Sequence, residues 1–269
     1  MKHIFHTLFT FFCVLTMFTQ SVRAEQILTY TVYAGGINAV DASINLDANP
    51  SKYDLSFEAK TRGFLGKLAP WSGIFKSTGI ADKEGVYVPN QHIVTSSWKD
   101  EVEVKNYSYE KGAFQKLTIT EDGKDRSPKK IDEALTKNTT DLITASLNAM
   151  KSVHETGTCD SQADVFDGKR RFTMMFKFKD TETLTANRYN SYSGNAIRCI
   201  VEIEPITGKW HEKPRGWLSI QEQGRKKGSL PTVWFGQVNG SEVYVPVKVR
   251  VKTDYGTLFM HLKSIRNQS

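Results

Sequence analysis

The chain has 269 residues, a formal net charge of +7 and three cysteines. After Ala24 no segment approaches the roughly 18 consecutive apolar residues of a membrane-spanning helix, which argues against a helical membrane protein. The length suits one β-sandwich or β-barrel domain, which reaches roughly 250 residues without splitting.

The chain opens with Met1-Lys2-His3, followed by an apolar stretch from Leu8 to Phe18 and polar Thr19-Gln20-Ser21. This is the order of a secretory leader. Leu8 to Phe18 is too short to cross a bilayer, which takes about 20 residues in a helix. Val22-Arg23-Ala24 offers the cleavage site, so residues 1–24 are expected to leave as a signal peptide and residues 25–269 to form a single β-rich domain. Cys13 follows Thr10-Phe11-Phe12, which lack the small side chains of a lipoprotein cleavage site, and it departs with the leader. Loss of Lys2 and Arg23, with no acid among residues 1–24, takes the charge from +7 to +5. That balance favours anionic lipid head groups, lipopolysaccharide or acidic glycans, and it also serves solubility. The expected address is an oxidising envelope space, which excludes nucleic acid as a partner.

Strand-like alternation dominates the rest. Ile27 to Ala34 and Ile37 to Leu46 flank Gly35-Gly36, a pair free to take positive φ, and read as a hairpin or a sharply bent strand. Tyr53, Leu55, Phe57 and Ala59 alternate with Asp54, Ser56, Glu58 and Lys60, as a half-buried strand requires. Val86 to Ser97, Val102 to Glu110 and Phe114 to Glu121 follow as a meander. The period then changes. Asn138-Thr139-Thr140-Asp141 offers capping oxygens, and Leu142, Ala145, Leu147, Ala149 and Met150 share one helical face. A lone amphipathic helix in a β-rich chain must bury its stripe, and the concave side of a curved sheet is the available place. The expected fold is therefore mainly β: a strongly curved antiparallel sheet, a half-barrel, wrapped around one α-helix.

Strands resume over Arg171 to Lys179, Ala196 to Ile206, Pro231 to Gln237, Val243 to Lys252 and Thr257 to Ile265, with turns at Asn239-Gly240 and Asp254-Tyr255-Gly256. The Lys-, Arg-, Pro- and Gly-rich stretch from Gly208 to Gly228 reads as a long surface loop. With Cys13 gone, Cys159 and Cys199 are the only pair, and two thiols in an oxidising compartment are expected to form a disulfide. No Cys-x-x-Cys or neighbouring His cluster favours a zinc site.

No Gly-x-Ser-x-Gly elbow, His-Glu-x-x-His pair, Walker loop or Gly-x-Gly-x-x-Gly turn is present, so no catalytic residue, cofactor or metal is assigned. His92, His154, His211 and His261 lack metal-ligand spacing. Asp160, Asp164 and Asp167 lie close together beside Cys159 without matching a calcium loop. Two surface features stand out. Phe64, Leu65, Leu68 and Trp71 sit in a Gly- and Pro-punctuated segment between strands, which suits a lip over a hydrophobic cavity, a membrane-touching loop or a plug for one barrel end. Lys169-Arg170-Arg171 and Arg225-Lys226-Lys227 would form an anionic-surface patch if the fold made them adjacent.

Tyr33-Ala34-Gly35-Gly36-Ile37, Thr61-Arg62-Gly63-Phe64, the helix from Asp141, Val165-Phe166-Asp167-Gly168-Lys169-Arg170-Arg171-Phe172, Val233-Trp234, Val245-Pro246-Val247 and Gly256-Thr257 together resemble exported bacterial proteins of domain-of-unknown-function family 3108, in particular alphaproteobacterial members. Family members often place Pro after the helix-opening Asp, where this chain has Leu142. The resemblance implies a periplasmic protein of a Gram-negative cell and, by fold analogy, a half-barrel like that of lipoprotein carriers. The leading expectation is a non-enzymatic protein supporting the cell envelope, with a lipid, acyl chain or apolar segment in the concave face of its sheet. Its expected partners are lipid, lipopolysaccharide or an envelope protein. Two rivals stay open: a hydrolase or glycan-processing enzyme built from scattered Asp, Glu and His, and a structural partner in an envelope complex.

Overall fold

A computed structural model describes residues 25–212, 217–238, 243–253 and 256–268. The expected leader over residues 1–24 and the turn residues Asn239, Gly240, Asp254 and Tyr255 lie outside the described residues. Alternating sequence becomes strand throughout: β1 (Glu25–Ala34), β2 (Ile37–Asn49) and β3 (Lys52–Thr61), then a short α1 (Gly63–Leu68), then β4 (Trp71–Ala81), β5 (Tyr87–Trp98), β6 (Glu101–Glu110), β7 (Ala113–Glu121) and β8 (Lys124–Asp125). A turn of helix α2 (Glu133–Thr136) precedes α3 (Leu142–Thr156), and the second half runs β9 (Ser161–Phe166), β10 (Arg170–Leu184), β11 (Gly194–Gly208), α4 (Trp217–Lys226), β12 (Thr232–Gln237), β13 (Tyr244–Thr253) and β14 (Gly256–Gln268). Gly35 and Gly36 take φ of +57° and +86°, the left-handed pair that a two-residue hairpin needs.

All strands join one antiparallel 14-stranded sheet in the order β8-β7-β6-β5-β4-β3-β2-β1-β14-β13-β12-β11-β10-β9. The halves of the chain meet where β1 pairs with β14, Leu28 opposite Ile265. The end strands β8 and β9 do not pair, so the sheet stays open by hydrogen bonding. Side chains draw its ends together instead. Phe166 of β9 packs edge-on against Tyr107 of β6 and Phe114 of β7, with ring centroids 6.1 and 5.4 Å apart. Thr140 covers the free edge of β9: its N–H donates to the Asp164 carbonyl at 2.8 Å, and its own carbonyl accepts from Phe166 N–H at 3.2 Å.

Helix α3 fills the concave side. Asp141 caps it, with Oδ1 accepting from the N–H groups of Ile143 and Thr144, both at 2.9 Å. Gly157 ends it in the left-handed conformation, donating to the Val153 carbonyl. Ile143, Ala145, Leu147, Ala149, Met150 and Val153 are buried in the main core. Leu142, expected on the same face, is instead 41% exposed.

Two expectations need correction. The stretch from Gly208 to Gly228 is not wholly a loop, because it contains α4. Gly224, which reads as a helix breaker, is where the helix meets the chain that follows: a Cβ there would lie 2.8 Å from the Ser229 carbonyl oxygen. This helix covers the part of β11 that outruns β12, and the Gln221 side chain pairs with the backbone of Ile203 as a strand would, accepting from N–H at 2.7 Å and donating to C=O at 3.0 Å. The segment from Gly63 to Leu68, expected as an irregular connection, forms α1. β4 and β9 were not assigned from sequence. β9 (SQADVF) is a short edge strand with three polar residues in its first four positions in place of a clear alternation.

Candidate functional site

The inner faces of the sheet determine what surrounds the concave space. Cross-strand register aligns Phe75 of β4 with Val94 of β5 and Lys105 of β6, and one step deeper Ser77 with His92 and Tyr107. On the opposite wall Val165 of β9 faces Phe172 of β10, and Met174 faces Ile203 of β11. Between these walls lies a cavity of about 700 Å³, overhung by Leu142 and Ser146 of α3 and bounded at one end by Asp167, Arg170, Trp210 and His211. Most of the lining is aliphatic or aromatic. Its cations are restrained: Lys105 bonds Glu103 at 2.5 Å, and Arg170 bonds Asp167 at 2.6 Å while lying 4.9 Å over the Trp210 ring.

A second, wider groove of about 1290 Å³ lies at the other end of the seam between β7 and β9. Lys111, Lys137, Lys151, Glu133, Glu155 and Asp164 contribute to its walls, a lining that favours water over an apolar chain.

A buried polar network stands behind the cavity wall. Asp141 Oδ2 accepts from the Thr144 hydroxyl at 2.5 Å and from Ser77 at 3.0 Å, and the Tyr53 hydroxyl lies 2.6 Å from Thr144 Oγ1 and 3.1 Å from Ser77 Oγ. Burial is the main force raising the Tyr53 and Tyr107 hydroxyls well above the usual phenol range, so both stay neutral. His92 lines the cavity with Nδ1 3.4 Å from Asp141 Oδ1, and that nitrogen has no hydrogen-bond partner. Ser, His and Asp meet here in a different order from a nucleophile relay: the Ser77 hydroxyl engages Asp141, Tyr53, Thr144 and the Gln91 carbonyl rather than His92. The network ties the cap of α3 to β3 and β4.

The residues singled out from sequence fall in different places. Cys159 and Cys199 are bonded, with Cα atoms 6.4 Å apart and both side chains fully buried, so the segment after α3 is fixed to β11. Phe64, Leu65 and Leu68 are 73%, 39% and 64% exposed on α1. Trp71 does not join them; it starts β4, packs against the core, and its N–H donates to Thr61 Oγ1 at 2.9 Å. The basic runs do not merge. Arg225 binds Glu202, and Arg170 pairs across the sheet with Gly208, six residues further along β11, which spans about 20 Å in a strand. Arg171 bonds Asp164 at 2.6 Å, Lys226 lies 3.4 Å from Glu222, and Lys169 is exposed in the β9–β10 turn. Lys227 follows α4 and donates its backbone N–H to the Gln223 carbonyl. Burial acts to raise the Glu202 carboxyl, yet the hydrogen bonds from Lys177 and Arg225 hold it below its usual range. Asp160, Asp164 and Asp167 each bond protein donors, and among the described residues no group of three or more His, Cys, Asp or Glu is placed to hold a metal.

Sequence reasoning missed the lining set of His92, Lys105, Phe166 and Trp210, and the role of Asp141 beyond capping.

A family model described as Protein of unknown function (DUF3108) matches residues 29–263, and the chain belongs to that family. Among curated proteins no match is found. The chain is similar in fold to a solved β-barrel-like protein of domain of unknown function DUF1849 from Brucella abortus, with a TM-score of 0.53 and 9% identity over 92% of this chain and 99% of that one.

Proposed function

We propose that this member of the DUF3108 family is a non-enzymatic protein of the periplasm that supports the envelope by holding a lipid acyl chain in the concave face of its sheet. The observation that carries the reading is the cavity of about 700 Å³, walled by Phe75, Val94, Phe172, Met174, Val201 and Ile203. Its size lies within the roughly 300–1,000 Å³ typical of small-molecule sites. Each methylene moved from water into such a lining contributes about 0.8 kcal/mol, so a single chain binds through length rather than through polar contacts. Arg170 and His211, at one end of the cavity, supply the groups that would meet an anionic head group. The leader-like start of the chain and the Cys159–Cys199 bond support an oxidising compartment.

The test is native mass spectrometry of protein isolated from its own envelope fraction, beside the Ser146→Trp variant, whose indole would fill the cavity from α3. A bound lipid mass on the wild type, lost in the variant, is expected. A clean apo mass, together with no uptake of a fluorescent fatty acid, would overturn the reading.

A further inference from the structure

One end of the half-barrel gathers apolar side chains that the core does not claim. The β1–β2 turn presents Ile37 (71% exposed), α1 presents Phe64, Leu65 and Leu68, and the β5–β6 turn presents Trp98 (48% exposed). These turns are neighbours, and backbone hydrogen bonds join them: Arg62 N–H donates to the Ala39 carbonyl, and Lys99 N–H to the Pro70 carbonyl, both at 2.9 Å. The β9–β10 turn and the exit of β11 lie on the same end, so these tips share a rim with Asp167, Arg170, Trp210 and His211, which bound one end of the cavity.

We propose that this rim docks on the surface of a lipid bilayer with anionic head groups, with α1 and the two flanking turns inserting their apolar tips. Separate turn tips that each offer one to three large apolar side chains suit shallow entry into the head-group layer, about 5–10 Å deep. Trp98 is the amphipathic type that settles at such a boundary. Charge points the same way. Lys67, Lys99, Lys169 and Lys209 are exposed on this rim without an ion pair among the described residues, whereas Asp41, Glu103 and Asp167 are already bonded to Arg62, Lys105 and Arg170. Asp100 and Glu101 at the β5–β6 turn, Asp122 at the β7–β8 turn and Glu212 beside His211 remain as exposed acids. The docking needs only the tips and goes beyond acyl binding, although it would set this end of the cavity against the membrane.

The experiment uses protein starting at Glu25, which contains every strand and helix among the described residues, sedimented with vesicles of phosphatidylcholine alone or mixed with phosphatidylglycerol. Binding is expected on the mixed vesicles and is expected to weaken with salt. The Phe64→Ser/Leu68→Ser variant, with an unchanged circular dichroism melt because both side chains are exposed, is expected to lose about tenfold or more in partitioning. Lys67→Glu/Lys99→Glu is expected to lose the preference for phosphatidylglycerol. The proposal is overturned by wild type that stays with the supernatant on mixed vesicles, or by a serine variant that binds as well as wild type. It is equally overturned if the patch instead mediates a dimer in sedimentation velocity that the serine variant dissolves, with no vesicle binding. Ser146→Trp separates the two proposals: it is expected to dock like wild type, so loss of acyl uptake with docking intact bears on the cavity alone.

Discussion

Phe166 sets its ring edge against Tyr107 with centroids 6.1 Å apart, and this contact joins two ends of a sheet that share no backbone ladder. Both residues also line the cavity. The seam therefore depends on side-chain packing and on the Thr140 backbone hydrogen bonds to β9, and leaves space beside it.

Phe166→Ala removes the ring that bridges β9 to β6 and β7, and is expected to cost about 3–5 kcal/mol, the usual price of deleting a fully buried aromatic. Phe178→Ala, at a position 39% exposed, is expected to cost well under half of that. Urea unfolding of the two variants checks the comparison; equal losses would mean that the seam contributes nothing special.

Asp141 is 1% exposed and accepts from two backbone N–H groups and two hydroxyls. Asp141→Ala strands all four donors and is expected to destabilise by about 2–4 kcal/mol, combining a lost cap with buried unpaired groups. Asp141→Asn keeps a capping oxygen and is expected to lose less. Thermal melts followed by far-UV circular dichroism rank the pair, and an asparagine variant as weak as the alanine one would assign the effect to charge rather than capping.

On the convex face His261 stacks on Phe259, with Tyr189 and Tyr33 beside it, and burial followed by the charges of Lys248 and Lys263 lowers its pKa to about 4. A histidine with a folded pKa below its unfolded value of about 6.5 contributes stability that is full above pH 6.5 and is lost as pH falls toward 4, because the unfolded chain takes the proton first. Half-burial limits the effect to about 1–2 kcal/mol. His261→Phe is expected to flatten that part of the stability profile, as read by urea midpoints at pH 7.5 and pH 4.5. Parallel wild-type and variant profiles would contradict it.

The Cys159–Cys199 bond closes a loop with a sequence separation of 40. Its removal in the double Cys→Ser variant is expected to cost about 3–4 kcal/mol in the chain-entropy view. Free-thiol labelling of denatured, unreduced protein starting at Glu25 is expected to find none, and one labelled thiol per chain would refute the bond.

Much of the fold is legible in local sequence. Tyr53, Leu55 and Ala59 are buried while the polar residues Asp54 and Glu58 between them are not, because side chains alternate across a strand whatever it pairs with. Helix α3 is legible for a similar reason: its apolar spacing, the Asp141 cap and the Gly157 stop are all short-range signals. Helix α4 was hidden, since Gly224 serves a close approach to Ser229 and Leu230 that shows only once the chain turns back against the helix end.

The sequence by itself determined the class of architecture, the central helix and the pairing of Cys159 with Cys199. Tertiary structure alone decided that Ser77, His92 and Asp141 converge, that Phe166 closes the seam, that Trp71 turns inward while Phe64 and Leu68 stay out, and that the two basic runs stay apart. The physical reason is one of range. Alternation assigns each residue a face, but which strands lie opposite one another, and how far the sheet curls before its ends meet, depend on the packing of residues far apart in the chain.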